Sequence, residues 1–223
     1  MLRSNAAIAI WNDVADGAAP AFDDWHVNEH MPERLAIPGF LRGRRYMAPG
    51  GGHYFTLYET RDKDVQTSST YLARLNDPTP WSKRIVPLVT SRRRTALDIV
   101  LSSGDGVGGA LATVEFAPVD GADELLSGWL SRIALPQALS RPGIVGAHWG
   151  RADAVRSRLD TVEERLMVRP DDVARWVVLL EGIDVGEAGA AAAAVVARLE
   201  AEGALPDHAA EVFLLTNLLE ARP

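Results

Sequence analysis

A repeated pattern of tryptophan, proline and glycine is the feature that most restricts how this chain can fold. The pattern is a Trp, a Pro seven positions on, and a Pro-Gly pair six positions further. It occurs twice, 104 positions apart, at Trp25, Pro32 and Pro38-Gly39 and again at Trp129, Pro136 and Pro142-Gly143. HYFTLYE (53–59) also matches RWVVLLE (175–181), with 18 extra residues in the second copy between the two matches. Such self-similarity predicts two copies of one folding unit.

The order of apolar segments is the same in both copies. The first contains strand-like segments at 6–11, 41–47, 53–59 and 95–101 and helix-like segments at 20–37 and about 62–75. The second contains strand-like segments at 109–116, 144–149, 175–181 and 211–218 and helix-like segments at 124–134 and 187–202. This β-α-β-β-α-β order is that of the ferredoxin-like unit. The sequence therefore predicts an α+β protein of two tandem repeats, 1–103 and 107–223, joined by the linker SSGDGVGG (102–109). We expect the two sheets to pack on each other as an intramolecular α+β barrel.

Composition excludes several functional classes. The chain has 223 residues, a formal net charge of −7 and no cysteine. A mildly acidic chain without basic blocks is not typical of proteins that bind nucleic acid or anionic membranes. The absence of cysteine excludes disulfides, thiolate catalysis and cysteine-ligated metals, and it is compatible with a cytoplasmic location. No apolar run approaches the ~18 residues needed to span a bilayer.

Polar residues that occur in only one copy indicate where a functional site lies. Over the first helix five such residues are replaced in the second copy by less polar ones. The pairs are His26 and Leu130, Glu29 and Ile133, His30 and Ala134, Glu33 and Gln137, and Arg34 and Ala138. One site per chain, built on the first helix, explains the difference. The alternative is that the second helix is more buried and needs no charges.

The segments WHVNEHMPERLAIPGFLRGRRY (25–46), HYFTLYE (53–59) and LARLNDPTPWSKR (72–84) resemble the dimeric α+β barrel superfamily, in particular its EthD-like branch. The resemblance covers residues 5–100, and the second half matches in element order only, which implies a fused version of a normally dimeric barrel. The superfamily includes isomerases, polyketide cyclases, cofactor-free monooxygenases and haem-dependent members. It therefore implies a small-molecule enzyme without cofactor that acts on an oxygenated ring or polyketide-like compound, or else a non-catalytic protein that binds a ligand in the same barrel.

The residue types on the first helix favour acid–base chemistry. His30 is the candidate base, because an imidazole titrates near neutral pH. Glu29 and Glu33 flank it and are expected to orient or charge it, and Arg34 is expected to hold an anionic part of the ligand. The alternative is a structural hydrogen-bond network that contains the same residues.

Further ligand contacts are expected from the strands and one loop. Strand alternation predicts that Phe55 and Leu57 face the helices, which leaves Tyr54, Thr56 and Tyr58 on the opposite face. The predicted ligand-binding residues, besides Arg34, are His26, Arg44, Tyr46, Tyr54, Tyr58 and Trp81. The loop that contains Trp81 is expected to cover one mouth of the barrel.

His26 to His30 also spell H-x-x-E-H, an inverted zinc-peptidase signature. Because Pro32 follows the second His closely, we interpret the match as chance and expect neither a metal nor a cofactor. The only partners expected are a small-molecule ligand and a second copy of the chain, which would pair through exposed strand edges.

Overall fold

The computed structural model describes residues 1–167 and 176–222. The strands are β1 (Ala6–Val14), β2 (Phe40–Met47), β3 (His53–Thr60), β4 (Val89–Ser103), β5 (Ala110–Phe116), β6 (Ile144–Ala152), β7 (Trp176–Gly182) and β8 (Ala209–Glu220). The α-helices are α1 (Ala19–Trp25), α2 (Met31–Leu35), α3 (Ser69–Asn76), α4 (Pro80–Ile85), α5 (Asp123–Trp129), α6 (Leu135–Leu139), α7 (Ala154–Ser157), α8 (Val162–Arg165) and α9 (Val185–Leu199).

The described residues form two compact units. The first unit comprises Arg3–Asp98, 153–167 and 216–222. In its sheet β1 lies between β3 and β4, and β2 pairs with β3, all antiparallel. Its apolar core includes one cluster around Met31, Phe40 and Tyr58 and another around Phe22, Trp25 and Tyr54.

The second unit comprises Met1–Leu2, Ile99–Ala152 and 176–215. Here β5 lies between β7 and β8, and β6 pairs with β7, again antiparallel. The hydrogen-bonded strand order of the described residues is closed: β1-β3-β2-β8-β5-β7-β6-β4. The predicted α+β barrel is thereby confirmed. The repeat boundaries stay a prediction.

The first predicted helix is interrupted by a π-helical turn. Between α1 and α2 the residues His26–His30 form this turn, in which the N–H of Met31 donates to the carbonyl of His26, five residues back. The second copy has the same turn at Leu130–Ala134, between α5 and α6. In both copies a proline lies two residues after the last residue of the turn: Pro32 follows His30, and Pro136 follows Ala134. Since proline has no N–H and disrupts the α-helical pattern, a local widening to π geometry lets the helix continue past it.

The segment NDPTPW (76–81), which contains Trp81, is predicted to be a loop. This is wrong for its last two residues, Pro80 and Trp81, which belong to α4. Thr79 caps α4 by accepting a hydrogen bond from the N–H of Ser82 at 2.9 Å, and Pro80 occupies the first turn. Threonine followed by proline is a typical helix start, because proline has no N–H to leave unpaired there.

The second copy has 18 extra residues between its matching segments, and the described residues 153–167 of this region belong to the first unit. The N–H of Asp153 donates to the carbonyl of Ala96 at 2.8 Å, and the N–H of Ala96 donates to Ser157 Oγ at 2.9 Å. Further along, the N–H of Val162 donates to Asn76 Oδ1 at 3.1 Å. These bonds fix α7 and α8 beside β4 and α3. Arg175, the first residue of a predicted strand, lies outside the described residues.

Within the described part of the chain, no helix is long and apolar enough to cross a membrane.

Candidate functional site

Three residues of the first helix, spaced four apart, point to the same side. His26 and His30 are the ends of the π-helical turn, and Arg34 lies in α2. All three are buried, at 5%, 8% and 2% exposure. The ring of His30 lies against that of Trp25, with centroids 4.4 Å apart, and the two imidazoles are 5.2 Å apart. The helix thus brings together three of the predicted site residues.

These side chains line a cavity of about 50 Å³ in the first unit. Its apolar wall comes mainly from Phe22, Trp25, Val86, Val89 and Met167, and its polar wall from Asn12, His26, His30, Arg34, Thr56, Tyr58, Arg92 and Glu163. A volume of this size holds roughly three to four water molecules and is smaller than typical ligand pockets. The cavity lies between the first helix and the sheet.

Four polar atoms in this wall are buried without a hydrogen-bond partner among the described residues. They are Asn12 Nδ2, His26 Nδ1, His30 Nδ1 and Tyr58 Oη. A buried polar group without a hydrogen-bond partner costs roughly 1–3 kcal/mol. Several such groups in one wall therefore mark it as a candidate ligand-binding site. Together they offer donors and an imidazole that can accept a proton.

Burial decides the charge state of the titratable groups here. It lowers the pKa of His30 well below 6.5, and the cations of Arg34 and Arg92 lower it further. The pKa of His26 is lowered by burial and by His30, Arg45 and Arg34. Burial raises the pKa of Tyr58. At neutral pH the wall therefore presents two neutral imidazoles and a neutral phenol.

The lowered pKa values of the two histidines predict that the folded protein loses stability at acidic pH. Below about pH 6.5 the unfolded chain protonates both histidines while the folded chain does not, so the free energy of unfolding falls as the pH falls towards the lowered folded values. Each histidine contributes up to about 1.4 kcal/mol per pH unit. Urea unfolding between pH 7.5 and 5 measures the slope. The variant His30→Gln should show a smaller slope than wild type, and equal slopes would contradict the assignment.

Arg34 is engaged in a buried charge network and is not free to bind a ligand alone. One guanidinium nitrogen forms a short ion pair with Glu163, and the other lies 3.3 Å from Glu33 Oε2. Glu33 in turn pairs with Arg74. Burial alone would lower the pKa of Arg34, but the Glu163 carboxylate outweighs it and raises that pKa. In the structure the charge of Arg34 is already compensated by Glu163, and its contact with an anionic part of the ligand stays a prediction.

Glu29 and Glu33, predicted to orient His30, have other partners. Glu29 Oε1 accepts from Trp25 Nε1 at 3.1 Å and from Thr79 Oγ1 at 2.6 Å, which ties the first helix to the start of α4. Neither carboxylate binds Nδ1 of His30, which has no partner among the described residues. The ring contact with Trp25 orients the imidazole instead. Within the described residues, no group of three or more His, Cys, Asp or Glu side chains is arranged to hold a metal ion.

The predicted faces of β3 are reversed in the structure. Tyr54 packs on Phe22 of α1 at 4.9 Å between ring centroids, and Tyr58 belongs to the cluster around Met31. Phe55 and Tyr46 contact each other on the other face of the sheet, away from these helix contacts. Every residue from Tyr54 to Thr60 is buried, so alternation of polarity carries no information about which face meets the helices.

Because the faces of β3 are reversed, some of the predicted ligand-binding residues line the cavity and others do not. Tyr58 and Thr56 line the cavity. Arg44 pairs across the strands with Leu57, on the other face, and its Nε lies 3.3 Å from Glu59 Oε1. Tyr46, Tyr54 and Trp81 are also not among the described residues that line the cavity. Trp81 packs beside the Phe22 cluster, as the anchor of α4.

Two charged cavity residues escaped the sequence analysis. Arg92 belongs to a run of three arginines and lines the cavity, with Nη1 3.1 Å from Met167 Sδ. Its neighbours differ: Arg93 stacks on Trp11, and Arg94 donates to the carbonyl of Arg156. Strand alternation could have separated Arg93 from the other two. Nothing in the local sequence marks Glu163, which lies 129 residues after Arg34.

Solved structures similar to this one share its fold over nearly the whole chain. An "anthrone oxidase-like protein" is 11% identical, with a TM-score of 0.66, and the match covers 97% of this chain and 93% of that one. A "putative monooxygenase" from Lactobacillus acidophilus NCFM is 11% identical, with a TM-score of 0.58 and 97% of both chains covered. A "putative chlorite dismutase" is 10% identical, with a TM-score of 0.56 and 95% of both chains covered. No protein-family model and no curated protein matches the sequence. At these identities the likeness shows the fold alone.

Proposed function

We propose that this chain is an enzyme that works without a cofactor and removes a proton from an uncharged, oxygenated aromatic compound. The observation that carries the proposal is the neutral imidazole of His30, whose Nδ1 is unpartnered in the wall of a cavity that also contains Arg92. A neutral imidazole can accept a proton at neutral pH. The substrate is a small molecule, and neither nucleic acid nor a membrane is needed. Membership of the EthD-like branch, the tandem repeat and a homodimer remain part of this proposal.

The wall supplies the groups that such a reaction needs. His30 takes the proton from a carbon that is conjugated with a carbonyl group, either directly or through an aromatic ring, and the negative charge moves onto the carbonyl oxygen. Arg92, with the donors Asn12 Nδ2 and Tyr58 Oη, stabilises that oxygen, because fixed donors in a dry site act strongly on developing charge. His26, 5.2 Å from His30 between ring centroids, is placed to hold the ligand beside the base.

The apolar wall fits an aromatic ring, but the cavity must widen to hold one. At about 50 Å³ it is smaller than a ring system. Trp25, Phe22 and Met167 form much of the wall, and the flexible thioether side chain of Met167 can change rotamer at low cost. Binding of substrate is therefore expected to displace one of these side chains.

Two of the similar structures are named for oxidation, which makes dioxygen the co-substrate to test first. The carbanion would react with O₂, and the overall change converts a ring CH₂ and O₂ into C=O and H₂O. Anthrone is a suitable probe, since it carries an acidic CH₂ next to two rings and opposite a carbonyl group.

The test measures proton removal and oxidation separately. Purified protein and anthrone are mixed in air-saturated buffer, and anthraquinone formation and O₂ uptake are expected at one to one, well above the rate with heat-denatured protein. Without oxygen, in D₂O, the protein should speed deuterium exchange at the CH₂. Exchange without oxidation would support an isomerase or cyclase. Binding of anthrone without either reaction would contradict the enzyme and favour a ligand-binding protein.

A further inference from the structure

The segment with the 18 extra residues of the second copy contributes to the cavity of the first unit. Glu163 in α8 and Met167 just after it both line the cavity. Thr161 caps α8 by accepting a hydrogen bond from the N–H of Glu164, and Val162 is bound to Asn76. The carboxylate of Glu163 is therefore held in place by its own helix and by Arg34.

Glu163 is the only acidic side chain among the described residues that line the cavity. The cations in the same wall are Arg34 and Arg92, and both imidazoles are neutral. Behind Arg34, Glu33 and Arg74 pair with each other and add little net charge. With Glu163 present, Arg34 is compensated from the cavity side. Without it, the charge of Arg34 would face the ligand uncompensated from this side, and charges act strongly at short range where water is excluded.

We propose that Glu163 is a specificity-determining residue, which makes the cavity discriminate against an anionic ligand relative to an uncharged one of the same shape. The carboxylate of Glu163 compensates the positive charge of Arg34 and repels an anionic ligand that would bind beside it. A ligand that offers a hydroxyl or amide donor towards Glu163 pays no such cost, because the carboxylate only accepts hydrogen bonds.

This assignment narrows the substrate class, a step that rests on the proposed function. The substrate enters uncharged and acquires negative charge only when His30 takes its proton. A ring compound with hydroxyl or carbonyl groups fits that description, and one with a free carboxylate does not. Interactions that favour the charge only after proton transfer are those that accelerate a reaction.

The test compares two probes of equal shape. Acetamide and acetate each have four heavy atoms, which suits a cavity of about 50 Å³, and they differ by one charge. Affinities are measured at pH 7 and constant ionic strength from the imidazole NMR signals of His26 and His30. The ratio of acetamide to acetate affinity is expected to fall at least tenfold in Glu163→Gln. The measurement uses no turnover, so a failure of the enzyme proposal would not affect it.

Matched variants separate charge from other effects. Glu164→Gln removes the same charge one residue away, outside the cavity wall, and should leave the ratio unchanged. Glu163→Asp keeps the charge and should keep the preference. Glu163→Met is a second charge-removing variant, in case Glu163→Gln does not fold. An unchanged ratio in the folded charge-removing variants, an equal fall in Glu164→Gln, or no binding of either probe to any variant would overturn the proposal.

Discussion

Replacement of Arg34 by methionine is expected to lower the free energy of unfolding by about 3–5 kcal/mol, because it leaves the buried carboxylate of Glu163 without its cation. Arg34 is 2% exposed and pairs with Glu163, which is 6% exposed, and also with Glu33. A methionine of similar length fills the space but cannot compensate either charge. Urea unfolding at pH 7 measures the loss.

Two control variants test whether the loss of stability comes from the burial of the ion pair. Arg61→Met removes an exposed arginine that pairs with Asp62, and an exposed pair contributes little to stability because water screens it. The double variant Arg34→Met with Glu163→Leu removes both buried charges and should recover much of the loss. A loss below about 1 kcal/mol in Arg34→Met would show that the network does not stabilise the fold.

Replacement of His30 by glutamine is expected to lower the rate of proton removal by about 10²–10⁴-fold, the usual contribution of a positioned base. Glutamine keeps much of the volume and a hydrogen-bonding end but cannot accept the proton. Since Nδ1 of His30 has no hydrogen-bond partner among the described residues, the free energy of unfolding at pH 7 should change by no more than about 1 kcal/mol. The rate of deuterium exchange at the CH₂ of anthrone measures the effect.

His208→Gln is the matched control, because His208 lies in the second unit beside Glu200 and is not part of the cavity wall. It should leave the exchange rate unchanged. If His30→Gln loses several kcal/mol of stability and keeps its exchange rate, His30 is a structural residue and the catalytic assignment fails.

The fold could be predicted because its signals are local and repeated. The spacing of Trp25, Pro32 and Pro38-Gly39 fixed the first helix and its end, and Gly39 indeed has a positive φ of 96°, which glycine tolerates. The strand-like segments 41–47 and 53–59 correspond to β2 and β3, and the Gly-rich residues 49–52 lie in the turn between them. The π-helical turn could not be derived, since proline permits either a kink or a widened turn.

Most of the site residues that could be predicted lie on one element. His26, His30 and Arg34 share a helix, and sequence spacing places them together. Arg92 and Glu163 come from other segments, and only tertiary structure brings them to the cavity. The faces of β3 were misassigned for a different reason: a strand that is buried on both faces loses the polar–apolar alternation on which the assignment depends.

The π-helical turn at His26–His30 makes helix length a determinant of the site. A π-helical turn amounts to one residue inserted into an α-helix, and each residue of an α-helix advances the side chains by about 100°. Loss of one residue here would restore a regular helix and rotate everything before it relative to Arg34. His26 would leave the cavity wall while the residue types of the motif stayed almost the same. A single-codon deletion would therefore rearrange the site as thoroughly as a substitution, and a sequence that keeps every motif residue but differs by one in this spacing would present a different set of side chains to the cavity.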